Sequence, residues 1–286
     1  MKKKVLKAGL LALAAIVLVV ATVLTTIAYL TASSAVSNVF TVGNVAISMF
    51  EHKVNSNGQL VDDNGTVITD IANGIEVDTN SYHLVPGNDY VKDPTIRILS
   101  NLQNGAEAAD TMYLFVKSHN MIRTIEDANV THQGEDTSVN PEYTSMREQM
   151  IANGWVEFIK SQNGMEIIWV YGSRDLTTGK ITPAIVDKTM TNCEKAGDFR
   201  LCQGFSVDEK ANVADYAAAR VDFAAYAIQS SCVSAGTSDN VTKAIWDILK
   251  DHFAFEDGIH NPVNPYNGAT GENAYAPVPQ ADQTLN

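Results

Sequence analysis

Six histidines are the first residues to ask for chemistry, and they do not form a site. His52, His83, His119, His132, His252 and His260 are scattered along the 286-residue chain. No two stand at the helix or strand spacing that would aim both imidazoles at one metal ion. The patterns HExxH and GxSxG and the glycine-rich phosphate loops are absent from the sequence. Cys202, beside Gln203-Gly204, has a nucleophile's residue type, but no histidine is marked as its base. Carboxylate pairs for glycoside hydrolysis could be picked at will from 33 acidic residues and so carry no information. Trp155, Trp169 and Trp246 read first as packing residues rather than a sugar platform. The reading is therefore of a non-enzyme with no catalytic residue, metal or cofactor.

The three cysteines are Cys193, Cys202 and Cys232, with no CxxC pair to suggest zinc. Three thiols allow at most one intramolecular bridge. Cys193 and Cys202 flank the short polar loop Glu194–Leu201, which contains Gly197, and are the first candidate disulfide. Cys202 with Cys232 is the second, and three unpaired thiols remain open if the surroundings are reducing.

Elements that could position such residues begin with an export signal. Lys2, Lys3, Lys4 and Lys7 precede a stretch without charge from Ala8 to Phe50, most apolar between Leu10 and Leu24. About 20 apolar residues cross a bilayer, so length alone allows a retained anchor or a cleaved signal peptide. Thr26-Ile27-Ala28 places small residues where a signal peptidase needs them, which puts the cut between Ala28 and Tyr29. The lysines stay on the cytoplasmic side, so the remainder is expected outside in both cases. Removing residues 1–28 takes away four lysines and no acids and moves the formal charge from −13 to −17. That balance argues against nucleic acid or an anionic membrane as partner and suits a soluble exterior protein.

Strand signals dominate the mature chain. Val39 to Phe50 alternates apolar and polar residues, with a break near Gly43-Asn44. Asn55–Gly58 and Asp62–Gly65 are turn signals that bracket a small hairpin; ligand spacing and a closing glutamate for calcium are missing. Further strands are expected at Thr95–Leu99, Met112–Ser118, Trp155–Lys160, Glu166–Tyr171 and Val221–Gln229. Asn140-Pro141 predicts a helix over Glu142–Ala152, and a second helix fits Asn240 to His252. Few helices among many strands predict a mainly-β sandwich with helical insertions. Residues 259–286, rich in Pro, Gly, Asn and Ala, read as a disordered tail.

Ala28-Tyr29-Leu30-Thr31, followed by Asn38 to Ile47, resembles the signal and first strand of proteins processed by the signal peptidase SipW, the TasA and camelysin relatives of Gram-positive bacteria. Tyr82–Gly87 through Tyr90 and Lys92–Ile96 are similar to a loop-and-strand segment of that family. Met112–Lys117, Phe223–Gln229 and Ala244–Trp246 are similar to later ones. The resemblance implies a jelly-roll-like β-sandwich over residues 29–258, with an insertion at about 119–154, and assembly into extracellular fibres or biofilm matrix. In such assembly a mature N-terminal segment completes a neighbour's sheet. Here the candidate donor strand is Tyr29 to Val42, with Val36, Val39 and Phe40 within it. The same strand could equally pair inside its own domain. Two functions are expected on these grounds. The first is a secreted fibre subunit whose partners are itself or related matrix subunits, whose assembly is lost and whose fold is largely kept when Tyr29–Val42 is deleted. The second is a monomeric surface adhesin. A secreted protease, the activity described for camelysin-type relatives, has no metal motif behind it. Contact with the membrane is expected only through an uncleaved signal segment.

Overall fold

A computed structural model of the chain describes residues 31–42, 44–102, 105, 107–108, 111–126, 143–161, 164–175, 177, 181–211, 219–233, 241 and 244–245. Two sheets pack face to face, as expected for a mainly-β sandwich. The larger contains β1 (Thr31–Val42), β4 (Thr79–His83), β7 (Met112–Asn120), β8 (Trp155–Lys160), β9 (Glu166–Arg174), β10 (Ile181–Pro183) and β13 (Arg220–Gln229). Its order is β10-β9-β7-β13-β1-β4, with β8 on the flank of β9. The smaller has the order β11-β6-β2-β3, formed by β2 (Ile47–His52), β3 (Glu76–Val77), β6 (Thr95–Ile98) and β11 (Asp198–Arg200). A further pair, β5 (Asp89–Val91) with β12 (Gly204–Ser206), carries the β6–β11 ladder onward across Lys92–Pro94.

The break expected near Gly43-Asn44 is where the chain leaves one sheet for the other: β1 belongs to the large sheet and β2 to the small one. Alternation then sets the core. On β7, Met112, Leu114 and Val116 face the space between the sheets, with Trp169 of β9 and Phe223 of β13. The opposite face of the large sheet is also covered, for Tyr113, Phe115, Ile168 and Ile228 form a second apolar cluster with Ile245. Burial on both faces explains why β7 and β9 read as unbroken apolar runs.

Between β7 and β8 the described residues form a 3-10 turn, Met121–Thr124, and a helix, α1 (Met146–Ala152). The helix begins at Met146, not at Glu142. Ser145 accepts a hydrogen bond from the Glu148 backbone N–H while the Glu148 carboxylate accepts from Ser145, and this reciprocal cap fixes the start. The Asn140-Pro141 cap and Trp246 lie outside the described residues, as does most of the second expected helix. Val241, Ala244 and Ile245 are helical there.

The expected hairpin around Leu60 is present as two bridges, Val54 with Leu60 and Val61 with Val67. Asp62 spends its carboxylate on its own turn, accepting from Asn64 N at 2.9 Å and Thr66 N at 2.8 Å, and these bonds lower its pKa. At the neighbouring turn Gly58 has φ +75°, and a Cβ there would lie 2.3 Å from Tyr90 Cδ1, so glycine is required twice over. Tyr90 stacks on Phe205 at 5.2 Å, accepts from Val85 N at 2.6 Å and donates to His83 O at 2.9 Å, which ties the end of β4 to β5. Among the described residues no helix is long and apolar enough to cross a membrane.

Candidate assembly strand and buried polar groups

β1 is twelve residues long and uncharged, TASSAVSNVFTV. It lies inside the large sheet, parallel to β13 and antiparallel to β4. Against β13, Val36 stands opposite Phe223, Val39 opposite Ala225, Phe40 opposite Tyr226 and Val42 opposite Ile228, with a register shift between Val36 and Asn38. Against β4 the pairing runs from Thr31 with His83 to Ala35 with Thr79. Beyond Ala35 the only strand paired with β1 among the described residues is β13. A hydrogen bond of 2.9 Å from Asn44 N to Gln229 Oε1 closes that end of the ladder. The candidate donor residues are thus brought together in one strand, paired within its own chain, while Ala28 and Tyr29 lie outside the described residues.

The expected Cys193–Cys202 disulfide is not formed, and all three thiols are free. The loop closes through Asn192, which donates to Arg200 O at 3.0 Å and accepts from Arg200 N at 2.7 Å, and not through the cysteines, because β11 pairs with β6 and carries Cys202 into the core. Cys193 donates to Asp198 O at 3.3 Å near the surface, whereas Cys202 is fully buried and donates to Lys92 O at 3.4 Å. Burial pushes the Cys202 thiol far up, which removes it as a nucleophile. Cys232, the other candidate partner, is exposed.

Trp155 and Trp169 are core residues. Trp155 Nε1 donates to Arg200 O at 3.0 Å and Trp169 Nε1 to Ser118 Oγ at 2.9 Å. Of the histidines, His52 contacts Asp93 at 2.5 Å and His119 contacts Arg220 at 2.5 Å, while His132, His252 and His260 lie outside the described residues. Among the described residues no group of three or more His, Cys, Asp or Glu could hold a metal ion.

What sequence reasoning missed is a set of ion pairs on the small sheet and its neighbours. Arg97 makes a two-bonded pair with Asp198 at 2.8 and 2.7 Å, binds Glu76 at 2.8 Å, and lies 4.3 Å from the centre of the Phe50 ring. Deeper in, Lys92 Nζ lies 2.7 Å from Glu51 Oε2, with both side chains wholly buried. The signal was present as charged residues inside strand-like segments, but nothing in the spacing says which of them meet.

Glu126 is the titrating group of the α1 region. Its Oε1 accepts from Met146 N at 2.7 Å, and burial pushes its carboxyl up to about 7 against that bond and the charge of Arg123. Because the folded pKa exceeds the ordinary value, this group's stabilisation is complete below about pH 4.5 and is lost as pH rises through about 7. Glu126→Gln keeps an acceptor for Met146 N without the charge. It will raise stability at pH 8 by on the order of 1–2 kcal/mol and flatten the pH 5–8 slope of urea midpoints; an unchanged slope would refute the assignment.

Comparison with protein-family models, characterised proteins and solved structures finds no match to the chain.

Proposed function

We propose that the chain is a secreted cell-surface protein, the subunit of an extracellular fibre or biofilm matrix that assembles by donating its N-terminal strand to a neighbour. The observation that carries this reading is the position of β1. An uncharged strand near the N-terminus fills a slot between β13 and β4, and only residues 43–46 join it to the other sheet. Main-chain hydrogen bonds hold a strand in such a slot, so the β1 of a second copy fits it as well as the chain's own. Each subunit that gives its strand away leaves an open slot, which repeats the contact along a fibre.

On this reading the partners are other copies of the chain or related matrix subunits. A signal peptidase acts during export and frees the strand, and an uncleaved chain remains tied to the membrane by its signal segment. The acidic mature chain does not recruit nucleic acid. The pairing of β1 within its own chain favours a second reading, a monomeric surface adhesin whose slot is permanently filled by its own strand.

Disulfide trapping separates the two. Asn38 and Ala224 stand opposite each other in the β1–β13 register. With both changed to cysteine in a Cys232→Ser background, a donated strand links neighbours and a retained strand links a chain to itself.

A further inference from the structure

The Lys92–Glu51 pair is unusual in where it points. On β2, Ile47 and Met49 face the core, and alternation carries Glu51 to the same side. On the other segment Tyr90 faces the core and Lys92 comes two residues later. Two charged side chains therefore meet in the dry space between the sheets, both 0 % exposed, with Nζ 2.7 Å from Oε2. Glu51 Oε1 has no hydrogen-bond partner among the described residues, and the Phe223 ring centre lies 5.8 Å from Nζ. An ion pair taken out of water with so few other hydrogen bonds is costly, and a neutral product removes that cost.

The neighbouring residues hold the two reactants in place. His52 N donates to Asp93 Oδ1 at 2.9 Å and His52 Nδ1 lies 2.5 Å from Asp93 Oδ2, so the residue after each reactant clamps the other segment. Contact distance, exclusion of water and a fixed approach are the conditions under which a slow condensation becomes an effective intramolecular reaction.

We propose that Lys92 and Glu51 condense to an intramolecular amide, a self-formed cross-link between β2 and the segment after β5. The ammonium first passes one proton to the carboxylate, giving a neutral amine and a carboxylic acid. The amine lone pair attacks Glu51 Cδ and the N–C bond forms. The C–O bond to the hydroxyl then breaks, and the hydroxyl leaves with a second proton from nitrogen as water. The amide keeps one N–H, and no oxidant or cofactor is required. The bond ties two segments 41 residues apart in sequence and restricts the unfolded chain as a disulfide would, in a protein whose three cysteines are free. It does not depend on strand donation, since a monomer would form it equally.

The test is intact-mass spectrometry of the folded full chain as purified, with unfolding and trypsin digestion afterwards. The expected result is a mass lower by one water than the sequence of the mature chain, with the peptides containing Glu51 and Lys92 joined and no cleavage after Lys92. Glu51→Gln is expected to lose ammonia instead of water, and Lys92→Met to return to full mass. Full mass in the folded wild-type chain with a free peptide ending at Lys92 would overturn the proposal, whatever the variants do. Loss of water traced to an aspartate succinimide rather than to joined peptides would overturn it too.

Discussion

A chain that begins at Gly43, without Tyr29–Val42, will neither polymerise nor keep its stability. The first half of that result is what strand donation requires. The second comes from the fold and corrects the expectation that the domain would survive the deletion largely intact. β1 is an interior strand, so removing it separates β13 from β4 and leaves two unpaired edges facing each other. The loss will be about 5 kcal/mol or more, a large share of the roughly 5–15 kcal/mol that holds a domain together. A synthetic peptide of residues 29–42, added in trans, will raise the melting temperature of the truncated chain as any ligand of the folded state does. Thermal melts with and without the peptide check this, and a truncated chain that still forms filaments would remove strand donation from the account.

Trp155→Ala is expected to have the next largest effect. The indole is completely buried, meets Tyr171 edge-on at 5.4 Å, and donates from Nε1 to Arg200 O. Truncation leaves a cavity beneath β8 and removes one of the two donors to Arg200 O, which keeps its bond from Asn192 Nδ2, for a loss of about 3–5 kcal/mol that comes mainly from the cavity. Trp155→Phe keeps most of the volume but not the donor and will lose roughly 1–2 kcal/mol. Chemical unfolding of the two variants separates the terms, and a loss below about 1 kcal/mol for the alanine variant would mean that β8 is not anchored by this residue.

Legibility in the sequence tracked the source of each element's stability. Met112–Ser118, Glu166–Tyr171 and Val221–Gln229 were readable as strands because β-branched and aromatic residues crowd a short span bounded by polar ones. β4, Thr79-Asn80-Ser81-Tyr82-His83, was not readable, since its strand conformation comes from pairing with β1 rather than from its own polar residues. The same holds for β11 and β12, three residues each, which exist as continuations of β6 and β5. Asp198–Arg200 also explains why closeness in sequence misled for the cysteines: a strand leaving for another sheet lies between Cys193 and Cys202.

β1 was legible as an uncharged segment that alternates from Val39 onward, but its neighbours were not. A parallel pairing between Val36 and Phe223 joins opposite ends of the chain, and no local pattern encodes it. Glu51 and Lys92 were hidden for the same reason. Each is one charge in a strand-like stretch, and only the folded register turns both into the same interior.

The measurement that tests strand donation most directly is disulfide trapping in the Asn38→Cys, Ala224→Cys, Cys232→Ser chain, oxidised after assembly and run on a non-reducing gel. A ladder of covalent oligomers that collapses to monomer on reduction is the predicted result. Cross-linked monomers alone, from a sample that electron microscopy shows to be filamentous, would contradict it, because β1 would then have stayed in its own sheet while the fibre formed by another contact.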